Sequence, residues 1–384
     1  MTAAPTNFLE HLREDATRRF SELGYPTTHD EDWRFTSVAP IARTTFVPAV
    51  SKRTGQEACP TGVEICKLSE AQPELIEAHL ARYASYQTNA FVALNTANFQ
   101  DGLLIRIAKG AVIEDPIHLV FESSANGQPT VAHPRTLILA GPDSQATILE
   151  TYSGSGGAYF TNAVTEIVAG DHAVIDHYKL QTESARAFHV STLQVQVGRD
   201  TNFRSHSLSF GGALVRNDIN AVLSQGCECT LNGLYLVAGE QHIDNHTCID
   251  HAQPHAASHE LYKGILDGKS SAVFSGKILV RKDAQKTDAK QTNKNLVLSE
   301  DAVINTKPEL QILADDVRCT HGATIGQLDP EGIFYLQSRG IGLADARNLL
   351  IFAFARDIVD RIKVASLREQ LEQILLEKLH GTRP

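Results

Sequence analysis

The sequence predicts a mainly β protein, a parallel β-helix (solenoid) carrying α-helical segments at both ends. Three observations predict it. From Asn89 to Thr324 the chain runs in short alternating apolar stretches, such as Leu137-Ile-Leu-Ala-Gly141, Thr165-Glu-Ile-Val-Ala-Gly170 and Leu193-Gln-Val-Gln-Val-Gly198. Gly110, Gly141, Gly170, Gly198 and Gly226 recur at intervals of 31, 29, 28 and 28 residues, which marks repeated units stacked on their neighbours. Helical periodicity is confined to the two ends. A β-sandwich or barrel also has many short strands, but the regular interval favours the solenoid, whose inward Val, Ile and Leu stack from coil to coil.

Taken in order, Phe8, Leu9, Leu12, Ala16, Phe20 and Leu23 recur at helical spacing, and Gly24-Tyr25-Pro26 stops the run. A second helix is expected after Ser69, with Pro73 near its first position and a stripe of Leu75, Ile76, Leu80 and Tyr83. Residues 1–88 thus read as an amino-terminal helical region and 89–326 as the β-helix core. The remaining residues, 327–384, form a carboxy-terminal helical domain, with helices at 331–338, 343–362 and 367–379. Helical ends suit a solenoid because they cap strand edges that would otherwise stay unpaired.

Composition narrows the function. A formal charge of −10 and a pI near 5.9 exclude a general nucleic-acid binder or a protein of anionic membrane surfaces, since no cationic face is available. The longest wholly apolar stretch, Leu349 to Ala355, is far too short to span a bilayer. The start, Met1-Thr-Ala-Ala-Pro-Thr-Asn-Phe, lacks a signal-peptide pattern, so a cytoplasmic location is expected. Cys59, Cys66, Cys227, Cys229, Cys248 and Cys319 are then expected to be reduced thiols.

Cys319 and His321 are the sharpest candidate site. On an extended strand they share a face with α-carbons about 6.6 Å apart, so both can approach one metal of the kind soft sulfur and imidazole prefer. Packing of the thiol in an apolar coil is the plain alternative. The stretch from His242 to His259, with His246, Cys248, Asp244, Asp250, His251 and His255, is the densest set of ligand types. None of its spacings is a standard zinc pair, and a hydrogen-bonded face accounts for it equally. Gly264-Ile-Leu-Asp-Gly268-Lys269-Ser270 has three residues between its glycines where a phosphate loop needs four, and a strand rather than a helix is expected to follow. Recurring carboxylates, among them Asp171, Asp176, Asp218 and Asp244, leave open a cytosolic β-helix carbohydrate hydrolase or lyase.

Asp315-Asp-Val-Arg-Cys-Thr-His-Gly-Ala-Thr-Ile-Gly326, followed by Ile333-Phe-Tyr-Leu-Gln-Ser-Arg-Gly340, resembles the carboxy-terminal signature of the SufB/SufD family of iron–sulfur cluster assembly proteins. Asp30-Glu-Asp-Trp-Arg-Phe-Thr36, Phe274-Ser-Gly-Lys-Ile-Leu-Val280 and the segment Ala284 to Leu296 agree with it, in the same order. The short length and the Cys-Thr-His-Gly sequence are most similar to the SufD branch. The resemblance implies a right-handed parallel β-helix and a non-enzymatic scaffold subunit of the SUF machinery. It implies pairing with SufB, with a homodimer as the competing form, and binding of the ATPase SufC through the helical end. It further implies that His321 lies at the SufB/SufD interface, where a transient cluster is shared with the partner chain and none is held stably by this chain alone. Cys319 matches a position often cysteine in the family. Tyr335, Arg339 and Phe352 fall in the segment that resembles the SufC-holding end. Ala256, where relatives carry a cysteine, argues against a second cluster site in the histidine stretch.

Overall fold

A computed structural model describes residues 6–55, 60–125 and 127–381; Met1 to Pro5 and Cys59 lie outside them. It is a parallel β-solenoid of about eight turns with helices at either end. Each turn contributes one strand to each of two sheets. The first sheet runs in strand order from Val63–Lys67 and Leu103–Ile107 through Arg135–Ala140, Tyr159–Ala169, Phe188–Val197, Leu214–Leu223, His242–His251 and Ser271–Val280 to Val303–Ile312. The second runs from Lys52–Gly55 and Ile117–Ala125 through Gln145–Gly156, Val174–Thr182, Asn202–Ser209, Glu228–Val237, Ala257–Leu266 and Asp288–Val297 to Arg318–Gly326. The periodic glycines sit at the turns. Gly110 and Gly226 adopt a left-handed φ of 69° and 71°, whereas at Gly141, Gly170 and Gly198 a Cβ would lie 2.6–2.7 Å from a backbone nitrogen of the preceding coil, so the recurrence has two separate causes. The coil at Gly268 is regular, and Ser271–Val280 after it is a strand, so no phosphate loop forms.

Among the described residues seven α-helices flank the solenoid: α1 (Thr6–Leu23), α2 (Ala39–Arg43), α3 (Pro73–His79), α4 (Ala90–Asn98), α5 (Pro330–Ser338), α6 (Leu343–Val359) and α7 (Ala365–Gly381). Two features depart from the expected layout. Three strands, Val47–Pro48, Lys52–Gly55 and Val63–Lys67, interrupt the amino-terminal region, and the last two close the ends of the two sheets by antiparallel pairing. Conversely, the run Phe91-Val-Ala-Leu lies in α4 rather than a strand. The Asn89 side chain caps the backbone N–H groups of Phe91 and Val92, and the helix is buried on most sides, which makes its sequence look like a core strand.

The helices cover both outer faces. Leu9, Leu12, Ile76 and Phe99 pack with Leu104, Leu137 and Leu139 of the first sheet, and Val38, Ile41 and Phe91 pack on Phe160, Val190 and Leu214 further along it. α6 and α7 lay Ile351, Ala355, Ile358, Leu371 and Leu375 against Tyr178, Leu180, Leu208, Leu234 and Ile265 of the second sheet. Lys263 clamps this contact by donating to the Phe354 carbonyl at 2.8 Å and pairing with Asp357 at 3.1 Å. Among the described residues no helix is long and apolar enough to cross a membrane.

Candidate functional site at the open end of the solenoid

The two ends of the solenoid differ. At the amino-terminal end the sheets finish in antiparallel strands, whereas at the other end they finish in Val303–Ile312 and Arg318–Gly326, each parallel to its single neighbour, Ser271–Val280 or Asp288–Val297. Around this open end Val303, Leu313 and Ile325 are each more than half exposed.

Arg318–Gly326 carries both candidate residues. Its register sets Cys319 on Ala289 and His321 on Gln291, so the two share the face that continues the interior of the column. Their environments differ. Cys319 is partly buried beside Ile278, Val280, Ala284 and Ala289, and burial raises its thiol pKa, so it sits as a packed neutral sulfur. His321 is exposed at the rim. No group of three or more His, Cys, Asp or Glu among the described residues could hold a metal, so this end offers an incomplete ligand set.

Beneath His321 the interior is polar, which alternation alone did not reveal. Gln291 points across the lumen toward Gly276, where a Cβ would overlap its amide and lie 2.8 Å from the Phe274 ring; glycine is needed there. Gln291 Nε2 donates to Glu260 Oε2 at 2.7 Å, and Glu260 is the register partner of Gln291 one coil further in. Burial raises the Glu260 carboxyl to about 7, with the Gln291 bond acting the other way. Deeper still, Glu150 lies 3.6 Å from His177, His189 lies 2.7 Å from Glu183, and Lys179 donates to Ser191 and Asn217. Burial pushes the Lys179 ammonium down to about 7 against the pull of Glu150 and Glu183. A cavity of about 20 Å³ among Glu150, His177, Lys179, Ser205 and Asn217 is the size of one water.

The histidine stretch divides between faces and gathers no site. His251 points inward and shares a hydrogen bond with Ser258, whereas His242 bonds Ser271 and Thr36 on the outside. His246 pairs with Asp244, His255 occupies a left-handed turn, and His259 is exposed. The recurring carboxylates are likewise engaged. Asp171 faces Arg199, Asp176 binds Arg204 and Lys363, and Arg216 clamps Asp218 and Asp244 beneath Trp33, whose ring centre lies 4.0 Å from the guanidinium. No free carboxylate pair for glycoside chemistry remains among them. Cys229 packs in the interior core, and the Cys227 thiol bonds the Gly198 carbonyl.

At the helical end, Tyr335 is exposed with the Arg339 guanidinium 5.3 Å from its ring, while Phe352 is partly buried against the α6–α7 cluster. Phe334, at 73% exposure, with Leu343 and Leu349, makes the surface around Tyr335 apolar. In the sequence these three read as part of an ordinary amphipathic helix, so spacing does not single them out.

The fold and its open end define a capped β-solenoid with one bare sheet end and a partial set of metal-ligand groups on it. Comparison with known proteins gives the family. Residues 121–354 match the model described as "SUF system FeS cluster assembly, SufBD core domain", and residues 45–119 match "SufBD protein N-terminal region". An iron–sulfur cluster assembly SufBD family protein of Synechocystis is 35% identical over 96% of this chain and 90% of its own length. The iron–sulfur cluster assembly protein SufD of Escherichia coli is 28% identical over 93% and 90%, and that of Bacillus subtilis 26% over 75% and 66%. The chain belongs to the SufBD family of the SUF iron–sulfur cluster assembly system.

Proposed function

We propose that this protein is the SufD-type scaffold subunit of its assembly complex, without catalytic activity of its own. It pairs with a SufB-type partner through the open end of the solenoid and holds the SufC-type ATPase on α5 and α6. The observation that carries this reading is the exposed His321 on a terminal strand with one free edge. An iron–sulfur cluster normally takes four protein ligands, and a lone imidazole with a neutral, half-packed thiol falls short. A partner strand added to this edge would bring the missing ligands, so the cluster is cargo shared between chains. Weak ligation then suits a scaffold that passes its cluster on. The similarity to SufD proteins supports the choice of branch, and the apolar surface of Phe334, Tyr335, Leu343 and Leu349 suits a protein partner.

The test is His321→Ala in cells that depend on this chain. The variant should co-purify with the same partners as the parent and lower the activity of iron–sulfur enzymes at least tenfold. Undiminished activity of those enzymes, with the variant as the sole copy, refutes the role of His321. Recovery of the parent chain only as a homodimer refutes the pairing.

A further inference from the structure

One buried carboxylate lacks the partner that all the others have. Glu150, Glu166, Asp176, Glu183, Asp218, Asp244 and Asp250 each have an Arg, Lys or His within 3.6 Å. Glu260, 3% exposed, has no such neighbour among the described residues; the side chains that hydrogen-bond its carboxyl, Thr247 and Gln291, are both uncharged. Interiors do not keep an unpaired carboxylate cheaply. Its position is informative: Glu260, Gln291 and His321 are successive register partners, so Glu260 lies two coils, about 10 Å, beneath the exposed imidazole.

We propose that Glu260 is the internal counter-charge of the open end, a positioning acid that releases its proton when a divalent metal cation is held at His321 and thereby strengthens the hold. The inference rests on the reading of His321 as a ligand given above. The proton passes to bulk water; no electron moves and no other bond changes. The other groups facing Glu260 cannot serve as its cation. Cys229, Tyr235 and Tyr262 are kept protonated and neutral by burial, and Cys248, raised to about 11, is neutral too and lines the outer groove. His251, bonded to Ser258 two residues before Glu260, is lowered to about 4 by burial and is neutral as well. Lys277, Lys307 and Glu309 of the two facing strands line the outer groove against Trp33 instead. The cation that is missing inside is therefore one that arrives at the rim. Glu260 is neutral in the empty protein near pH 6, and a positive charge about 10 Å away favours its ionised form.

The experiment uses the full chain with Zn²⁺ as probe and infrared difference spectroscopy of protonated carboxyl groups. Near pH 6 the parent should show a buried carboxylic acid band that Glu260→Gln lacks. Zn²⁺ should roughly halve that band in the parent and leave it undiminished in His321→Ala. Zn²⁺ affinity of Glu260→Gln should fall roughly tenfold at about pH 8 and hardly at all near pH 5.5, a pH profile that a purely structural residue would not produce. The isosteric amide keeps the Gln291 contact, and an unchanged circular dichroism spectrum checks the fold. A band that Zn²⁺ leaves undiminished in the parent, or equal affinities at pH 8, overturns the inference. If His321→Ala still impairs cluster maturation in cells while the band ignores Zn²⁺, only this inference falls; a silent His321→Ala removes the reading beneath it.

Discussion

Replacing Glu260 by Gln should make the protein more stable, and only on the alkaline side. The carboxyl is fully buried and its pKa is raised from 4.5 to about 7. A group whose folded pKa exceeds its unfolded value contributes stability that is complete below the unfolded pKa and is lost as pH rises through the folded one. The window is therefore about pH 4.5 to 7. At about 1.4 kcal/mol per unit, the parent loses about 3 kcal/mol across it from this one group. Glutamine keeps the volume and the hydrogen bonds and has no proton to lose. Glu260→Gln should match the parent near pH 5 and exceed it by about 3 kcal/mol near pH 8. Lys179 and the buried histidines also titrate, but they are common to both chains and cancel in the difference. Stacked coils need not unfold together, so the measurement is amide hydrogen exchange within Ala257–Leu266 and Asp288–Val297, alongside urea midpoints. A stability difference that stays flat between pH 5 and pH 8 would refute the assignment of Glu260 as an unpaired buried acid.

Glu166→Ala should release the amino-terminal cap, because this carboxylate pairs with buried Arg135 and accepts the backbone N–H groups of Ala81, Tyr83 and Ala84 at 3.0 Å. Breaking such a pair costs about 4 kcal/mol, so hydrogen exchange should accelerate in α3 and α4 while the distal coils stay protected. Leu371→Ala, at a fully buried position between α7 and the second sheet, should cost about 3 kcal/mol, and limited proteolysis should then clip α6 and α7 first. Lys179→Met should flatten a slope at high pH. The parent ammonium, lowered from 10.5 to about 7 by burial, is regained on unfolding, so parent stability should rise between about pH 7 and pH 10 where the variant's does not.

The solenoid was legible because each coil repeats one turn, and glycine recurs there either for a left-handed backbone, as at Gly110 and Gly226, or for close approach to the preceding coil, as at Gly141, Gly170 and Gly198. The helical end was legible for a similar reason: α5 to α7 show apolar stripes broken at Arg339-Gly340. What stayed hidden depended on which coils become neighbours. Alternation assigns Asp244 and His251 to faces, but not to the Arg216 clamp or the Ser258 bond, which arise from stacking and from Trp33 folding back across the first sheet. Glu260 and Gln291 read as surface polar residues until the register sets them one above the other inside the lumen. α4 was misread because a helix buried on most sides loses the periodic contrast by which helices are recognised. Cys319 and His321 could be paired from spacing alone, yet the division of roles between a packed thiol and an exposed imidazole needed the apolar cluster around Ala289 and Ala314.

The two strands at the open end are not equally guarded. Val303–Ile312 carries Pro308, which has no N–H to donate, together with Lys307 and Glu309. Proline and charge are the usual means by which a sheet edge avoids pairing with another chain. Arg318–Gly326 has neither beyond its first residue: Cys-Thr-His-Gly-Ala-Thr-Ile-Gly contains no Asp, Glu, Lys, Arg or proline and is almost wholly exposed. An edge of that kind left bare in solution invites aggregation, so its persistence beside a defended neighbour is explained best by regular occupancy. The strand that lacks protection is the one that bears His321, and the coil below it is the one that leads to Glu260. The proposed docking edge, ligand and counter-charge thus fall in one register column, which is the arrangement expected if arrival of a partner strand and capture of a metal are a single event.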